Sequence, residues 1–420
     1  MKKLILPVAF LFLVTSNSCQ ERESPIEQPP TFEETESEWI RLAKWDVNSN
    51  FSLLSPLNQS VSTPDIRPFH AQSGNYLSSS GRYIVSIERN EGIVRFLDTG
   101  IENHQDHGHE YSVKWLNATA EAPLPTHFSA TQGNIVIFND GDGSVTLARE
   151  SNMIAPGFSP SIIADFGNGV HHGAAAWLMG NKIAVTFKDE TVPGALPQWV
   201  KLINTSGEVI AENPEVSVTG IHGDASNGNY AVFGATEGVI VAAANDDIKL
   251  IPNPDPLEPT SGNWMGTIRA NDHIHKFYGY ARNQGVFAID PEAGAIEPVF
   301  LSNNIRSYML SADGGHLIIQ TNDNLVKVFD TATGNELASK TVTVADEVAG
   351  NQRQSFGEFE HYRQMSEENP VITASENFLY VLEPSRTKIH VRNLKDLSTV
   401  EVMELSGKVS NIMRVGFQVK

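Results

Sequence analysis

The sequence predicts an all-β protein folded as a single β-propeller, with seven blades as the expected number and eight as the alternative. Short runs rich in Val, Ile, Phe and Tyr alternate with Asn, Asp and Gly turn clusters, and no long stretch shows helical spacing. Hairpin-like units recur roughly every 40 to 60 residues, which is the spacing of propeller blades. Seven such units begin at Arg82, Asn134, Lys182, Tyr230, Lys276, His316 and Phe378.

The segment 1–18 has the order of a secretory signal peptide. Lys2 and Lys3 precede an apolar run at residues 4–14, and small polar residues follow it. Cys19 comes directly afterwards, and this segment resembles the lipobox of bacterial lipoproteins, in which the cysteine becomes the first residue and is acylated. The alternative is an ordinary signal peptide whose cleavage discards Cys19. Because Cys19 is the single cysteine, we expect neither an intrachain disulfide nor a cysteine-based zinc site.

Residues 19–38 are predicted to form a flexible tether, and residues 39–420 the propeller. The tether is acidic, rich in Pro and almost free of large apolar side chains, so it cannot bury enough surface to offset the entropy of ordering. No later apolar run is long enough to cross a bilayer. The formal net charge is −20 and no basic cluster interrupts it, which argues against a nucleic-acid partner.

The two ends of the predicted propeller are expected to meet. Segments 39–47 and 409–419 are both strand-like and could share one blade, which would fasten the ring and leave few exposed sheet edges. A β-sandwich or a two-domain all-β protein is the alternative, but the regularity of the hairpin units favours a propeller. The long gap between the sixth and seventh units leaves room for an eighth blade.

Histidines are the most distinctive polar residues, and a first group follows the first hairpin directly. His104, His107 and His109 lie close together in the sequence, with Asp106 and Glu110 among them. Three imidazoles and two carboxylates could surround one divalent ion, and this donor set suits zinc. The sequence predicts a metal-binding loop here that Gly108 keeps pliable. The alternative is a hydrated polar loop without a ligand.

A second group is spread along the chain but occupies equivalent positions in the repeat. His127, His172 and His222 precede the second, third and fourth hairpins by seven to ten residues. In a propeller this segment is the innermost strand, so the three side chains are expected to meet near the axis. Gly173 and Gly223 follow two of them and would let the backbone pass close to its neighbours. Three neutral imidazoles with an open fourth position would make a zinc site, whereas a lone histidine is more often a core residue bonded to a carbonyl.

Four segments that include these residues resemble the periplasmic zinc metallochaperones of the AztD type. The resemblance covers roughly residues 80–400, and its histidine motifs are more specific than its hairpins. It implies a β-propeller that hands zinc to the solute-binding protein of an ATP-driven importer. It also implies that His127, His172 and His222 are metal ligands, together with members of the 104–109 loop. The segments are residues 125–147, 169–177, 220–241 and 285–299.

The sequence therefore leads to a hypothesis of zinc binding and delivery without catalysis. The expected partners are the zinc ion and the periplasmic solute-binding protein of a zinc ABC importer, and we expect a monomer. The expected location is the periplasmic side of a bacterial membrane, held there by lipid on Cys19, with surface exposure as a further possibility. A zinc-dependent hydrolase or lyase in the propeller channel, or an interaction propeller without metal, is the alternative. No HExxH or GxSxG motif accompanies the histidines.

Overall fold

A computed structural model of the protein describes residues 36–164, 166–342 and 369–419. The predicted signal peptide, Cys19 and most of the predicted tether lie outside these residues. Glu36 and Ser37 are buried, so the packed chain already begins inside the range assigned to the tether. Within the described residues, no helix is both long and apolar enough to span a membrane.

Eight four-stranded antiparallel sheets make up the described chain, and we number them as blades in chain order. The first three blades include strands β1 to β13, a single-turn helix α1 (Glu150–Met153) and a separate two-stranded hairpin. Blade 1 contains β1 (Arg41–Asp46), β2 (Phe51–Leu54) and β3 (Val61–Ser62). Blade 2 contains β4 (Gly74–Leu77), β5 (Tyr83–Glu88), β6 (Ile93–Asp98) and β9 (Lys114–Glu121), with the hairpin β7 (Ile101–Asn103) and β8 (Gly108–Glu110) inserted before β9. Blade 3 contains β10 (Pro125–Thr131), β11 (Asn134–Asn139), β12 (Val145–Arg149) and β13 (Ser161–Ile163).

Five further blades follow with the same simple meander. Blade 4 contains β14 (Ala175–Leu178), β15 (Lys182–Phe187), β16 (Trp199–Asn204) and β17 (Val209–Glu212). Blade 5 contains β18 (Ile221–Ser226), β19 (Tyr230–Ala235), β20 (Gly238–Ala243) and β21 (Ile248–Pro252). Blade 6 contains β22 (Thr267–Arg269), β23 (Phe277–Ala281), β24 (Gly285–Asp290) and β25 (Ala295–Leu301). Blade 7 contains β26 (Ile305–Leu310), β27 (His316–Thr321), β28 (Leu325–Asp330) and β29 (Glu336–Thr341). Blade 8 contains β30 (Val371–Ala374), β31 (Phe378–Leu382), β32 (Lys388–Asn393) and β33 (Thr399–Glu404).

The last strand, β34 (Val409–Val415), returns to blade 1 and closes the ring. It pairs antiparallel with β1, in a register that sets Arg41 opposite Val415. The predicted sharing of one blade by the two ends of the chain is therefore confirmed. The propeller fold is confirmed as well, with the eight blades of the alternative count. The seven units recognised in the sequence are blades 2 to 8. The additional blade is blade 1, which the two ends of the propeller share.

The hydrophobic core lies between the blades. Eight clusters of buried residues each join two neighbouring blades, and together they run round the whole ring. Trp45 of blade 1 and Leu97 of blade 2 share one cluster, and Tyr380 of blade 8 packs with Ile412 of β34 in another. Because each blade buries its faces against its neighbours, closure of the ring is what gives blades 1 and 8 a neighbour on both sides.

Strand direction divides the molecule into two faces. The first strand of each later blade lies innermost, and β10, β14, β18 and β22 contact one another in sequence. We call the face where β10 and β18 begin the upper face. Since strands alternate in direction, β5 ends and β6 begins at the upper face, and β6 ends at the lower face. The hairpin β7–β8 follows β6 and therefore lies at the lower face.

Candidate metal centre

Irregularities at the start of two inner strands aim His127 and His222 into the molecule. The register of β10 shifts between Pro125 and His127, and that of β18 shifts between Ile221 and Asp224. A bulge of this kind rotates the local backbone and redirects a side chain, which is why bulges are frequent beside functional sites. Both histidines therefore stand at the upper end of the axis rather than in the regular alternation of their strands.

His172 reaches the same place from the segment that precedes β14. Its backbone N–H donates to the carbonyl of Ala195 at 3.0 Å, which fixes this segment against a loop of the same blade. The adjacent His171 is different, because it is buried and bonds the carbonyl of Gly169 at 2.7 Å and the hydroxyl of Thr186 at 3.2 Å. His171 is thus a satisfied core histidine, and His172 is the one that faces the axis.

The three imidazoles from blades 3, 4 and 5 form one compact group. One ring nitrogen from each of His127, His172 and His222 lies within 4.8 Å of the other two. The Nε2 atoms of His127 and His172 are 3.1 Å apart, and the ring centroids of the group are 4.6 to 5.4 Å apart. Zinc bound tetrahedrally at 2.0–2.1 Å requires nitrogens about 3.3 Å apart, so a small inward movement of His222 would complete three corners. The donor set and its spacing fit zinc.

Hydrogen bonds fix which nitrogen faces the centre. The Nδ1–H of His222 donates to the carbonyl of Gly266 at 2.7 Å, and Nδ1 of His172 contacts Oδ2 of Asp140 at 2.9 Å. Using Nδ1 in this way leaves Nε2 of both histidines available to a metal ion. Outer partners of this type hold imidazole ligands in one tautomer and one orientation.

The centre favours the neutral form of the His127 imidazole. Burial, followed by the neighbouring His172 and His222, holds the pKa of His127 well below its usual range. Burial alone would raise the pKa of Asp140. Its hydrogen bonds and electrostatic interactions with His172 and Arg89 outweigh burial, so the pKa of Asp140 lies below its usual range. An ionised Asp140 supplies negative charge beside the centre for a cation without occupying a coordination position.

Two glycines make the close approach possible, as the sequence predicts. Gly223 has φ of +77°, and a Cβ there would lie 2.4 Å from the carbonyl oxygen of Gly266. A Cβ on Gly173 would lie 2.6 Å from the ring of Phe138. The carbonyl of Gly266 accepts the hydrogen bond from His222. The missing side chain at Gly223 therefore leaves this acceptor in the place where it orients the His222 ring.

The second predicted group forms an exposed cluster on the hairpin β7–β8 and its turn, which we call the His-rich hairpin. The ring centroids of His104, His107 and His109 lie 4.9 to 5.3 Å apart. Of the two predicted carboxylates, Asp106 bonds the imidazole of His107 at 2.7 Å, and Glu110 pairs with Arg41 at 2.7 Å. Glu102, which lies outside the predicted 104–109 loop, is 3.3 Å from His104.

The expectation that Gly108 keeps this loop pliable is wrong. Gly108 is buried, and a Cβ there would lie 2.5 Å from the indole of Trp39 and 2.8 Å from the ring of Phe417. Those two rings stack with centroids 6.0 Å apart. The glycine is needed because the hairpin rests directly on this aromatic pair.

The structure separates the two histidine groups. The His-rich hairpin follows the lower end of β6. Arg89 lies in the turn between β5 and β6, at the upper end of β6, and contacts Asp140 beside the three-histidine centre at 3.1 Å. The two ends of β6 are five residue steps apart, which corresponds to about 17 Å. One ion therefore cannot contact both groups.

Three contributors to the centre were missed at the sequence level. Asp140 and Arg89 act from the turns of hairpins in blades 3 and 2, and Gly266 acts from the residue before the inner strand of blade 6. Asp140 belongs to the turn 139–144, whose Asp and Gly residues are ordinary turn formers. Only its place at the upper end of β11, one blade from His172, marks it as different.

AztD of Citrobacter koseri, described as a zinc chaperone, is 21% identical to the chain over 367 residues, which are 81% of this chain and 78% of that protein. The chain resembles AztD along most of its length. No protein-family model matches the chain.

Two solved structures of Citrobacter koseri AztD, one of them the apo protein, share the propeller fold. Both align with a TM-score of 0.71 over 91% of this chain and 99% of the AztD chain, at 18% and 20% sequence identity. The resemblance to AztD-type proteins that the sequence motifs indicate is thus confirmed.

Proposed function

We propose that the protein is a zinc carrier that binds the ion at its axis and delivers it to the solute-binding protein of a zinc importer. The observation that carries this proposal is the convergence of His127, His172 and His222 from three consecutive blades. The similarity to a protein described as a zinc chaperone supports the same role. The His-rich hairpin would hold a second, more exposed ion.

Three nitrogen ligands suit a carrier because they leave one position of tetrahedral zinc open. An incoming ligand from a partner can bind there before any imidazole leaves, so transfer can proceed by exchange of ligands one at a time. The low pKa of His127 means that no proton has to be displaced from this imidazole when zinc binds near neutral pH. Transfer of the ion requires no change of oxidation state and no covalent chemistry.

The proposal includes a location at the periplasmic side of a bacterial membrane. The arrangement of residues 1–18 and Cys19 supports export and lipid attachment, and residues 20–35 would link the lipid to the propeller. Globomycin-sensitive processing and labelling of Cys19 by a radioactive fatty acid would test this part. Processing that is unaffected in a Cys19→Ala variant would contradict it.

Titration calorimetry with zinc tests the binding proposal. We expect tight binding by the wild-type protein and loss of the tight phase when His127, His172 and His222 are all replaced by Ala. Removing three ligands leaves no chelating set at the axis, so the affinity should fall by at least about 1,000-fold. His316→Ala is the matched control, because His316 is a half-buried histidine of blade 7 and lies outside the group. A triple variant that keeps wild-type affinity would sink the proposal.

An enzyme is the second candidate, and one observation favours it. Asp224, two residues after His222, has Oδ2 buried without a hydrogen-bond partner among the described residues. Burial raises its pKa to about 7, which suits an acid or base, although a hydrogen bond with Ser129 and the charge of Arg269 oppose the shift. Zinc-dependent hydrolysis of a nitrophenyl ester or phosphate that disappears in Asp224→Asn would support this candidate. Turnover no faster than that of free zinc would exclude it for these substrates.

A further inference from the structure

Behind the proposed zinc ligands lies a charged pair that the proposed function does not use. Oδ2 of Asp140 contacts Nδ1 of His172 at 2.9 Å and also accepts from Nη2 of Arg89 at 3.1 Å. The same carboxylate oxygen is therefore shared between a histidine of the centre and a cation. The Asp140 side chain is 7% exposed and that of Arg89 is 35% exposed.

Asp140 is not fully satisfied in this position. Its second oxygen, Oδ1, is buried and has no hydrogen-bond partner among the described residues. A buried carboxylate with an unmatched oxygen is costly to keep in a fold. A structural role alone gives no reason to keep the negative charge here, since an amide could satisfy the same contacts with Arg89 and His172 at a lower desolvation cost.

Arg89 is fixed close to the centre by a second contact. Its Nε donates to Oγ1 of Thr126 at 2.9 Å, and Thr126 directly precedes His127. The guanidinium thus lies beside the segment that carries His127 and is linked to His172 through Asp140. Its positive charge opposes a dication at the axis and also weakens the attraction of Asp140 for His172.

We propose that Asp140 and Arg89 are positioning residues with opposite effects on zinc, Asp140 strengthening its hold and Arg89 weakening it. This inference rests on the proposed function. A carboxylate on the far nitrogen of a ligand imidazole orients the ring and increases its donor strength. A cation on that same carboxylate limits the increase. The pair would keep zinc bound firmly enough to be carried and loosely enough to be passed on.

The test compares zinc affinity and zinc release in four variants of the full chain. Affinity is measured by competition with a chromogenic chelator, and release by stopped-flow mixing with excess chelator. We expect Asp140→Asn to weaken binding by roughly 10- to 100-fold and to speed release. We expect Arg89→Gln to strengthen binding by about 3- to 10-fold and to slow release, because a nearby unit charge acts through an effective dielectric near 20. In the double variant, Arg89→Gln should have a smaller effect than alone.

Arg95→Gln is the matched control. Arg95 also belongs to blade 2 and forms an ion pair, with Glu88 at 2.8 Å rather than with Asp140. Its replacement removes one positive charge from the same blade and should leave zinc release unchanged. Circular dichroism and thermal unfolding of the metal-free variants check that each one folds.

The outcomes separate this inference from the proposed function. If Arg89→Gln weakens zinc binding, or if Asp140→Asn leaves it unchanged while the triple histidine variant loses it, the paired roles are wrong and the zinc site stands. If wild-type protein binds no zinc, both proposals fail. Opposite signs for the two substitutions cannot arise from a general loss of structure, and this result would establish the pair.

Discussion

His171 and His172 show how far one residue step can change the role of a side chain. His171 turns into blade 4, where a carbonyl and a hydroxyl satisfy both of its ring nitrogens. His172 turns to the axis, where one nitrogen is held by Asp140 and the other faces His127. The first arrangement consumes the lone pair that a metal would need. The second preserves it, so the two neighbours are not interchangeable as ligands.

The low pKa of His127 predicts that acid destabilises the metal-free protein. Burial keeps its folded-state pKa below the value of about 6.5 in an unfolded chain. Between these two values the unfolded chain binds more protons, so the stability from neutral His127 is fully present above about pH 6.5 and falls as the pH drops. His171 and His316, whose pKa values burial also lowers, act in the same direction.

Chemical unfolding in the presence of a chelator measures this effect. The free energy of unfolding should fall between pH 7 and pH 5.5, with His127 contributing at most about 1.4 kcal/mol per pH unit. His127→Gln stays neutral at every pH and should make the dependence shallower. Wild-type and variant curves that run parallel through this range would show that His127 does not titrate in this way.

At the residue scale, repeat position predicted the three histidines and nothing predicted Asp140. Equivalent points on successive inner strands converge by symmetry, so spacing alone could bring His127, His172 and His222 together. The contact between Asp140 and His172 crosses from blade 3 to blade 4. It depends on side-chain directions at a turn, which no repeat pattern specifies.

Among the elements, the starts of the inner strands carry most of the site. The register shifts in β10 and β18 turn His127 and His222 towards the three-histidine centre, and a similar shift between Ile305 and Ser307 occurs in β26. Their position just before each hairpin unit predicted where these strands lie. It could not predict the shifts, because a bulge changes direction without changing the composition of the strand.

The packing of the His-rich hairpin was predicted wrongly from its composition. Gly108 should be intolerant of even a methyl group, because Trp39 and Phe417 fill the space its Cβ would take. We expect Gly108→Ala to lower the free energy of unfolding by about 1–3 kcal/mol, as overpacking usually does. Zinc binding at the three-histidine centre should persist, since that centre lies at the other face.

Gly407→Ala is the control for this substitution. Gly407 has no positive φ and no atom within 4 Å of an added Cβ, so alanine there should be neutral or slightly stabilising. Urea unfolding of both variants beside the wild type provides the comparison. Equal stability of Gly108→Ala and Gly407→Ala would mean that the hairpin does not rest on the aromatic pair.

At the scale of the whole molecule, closure explains why the number of blades was harder to predict than the fold. Each of blades 2 to 8 is continuous in sequence, so each appears as one repeat. Blade 1 is assembled from β1 to β3 and β34, which are the first and last strands of the described chain. Only β1 and β34 were recognised from the sequence, because a blade split between the ends of the chain does not show the period that reveals the others.

The two faces of the ring lead to a final prediction, that the protein binds metal at two independent sites. The three-histidine centre stands at the upper face and the His-rich hairpin at the lower face, with the length of β6, about 17 Å, between them. We expect Ala substitution of His104, His107 and His109 to remove one weaker zinc ion and leave the affinity of the tight site unchanged.

Pulsed dipolar EPR on protein loaded with two Cu²⁺ ions should report a metal–metal distance of about 17 Å or more, because at least the length of β6 separates the sites. Two results would contradict this prediction. One is a single bound ion per chain that is lost in both triple histidine variants, and the other is a metal–metal distance much shorter than β6. Either result would require the His-rich hairpin to fold over to the other face. The stacked Trp39 and Phe417 beneath Gly108 oppose such a movement.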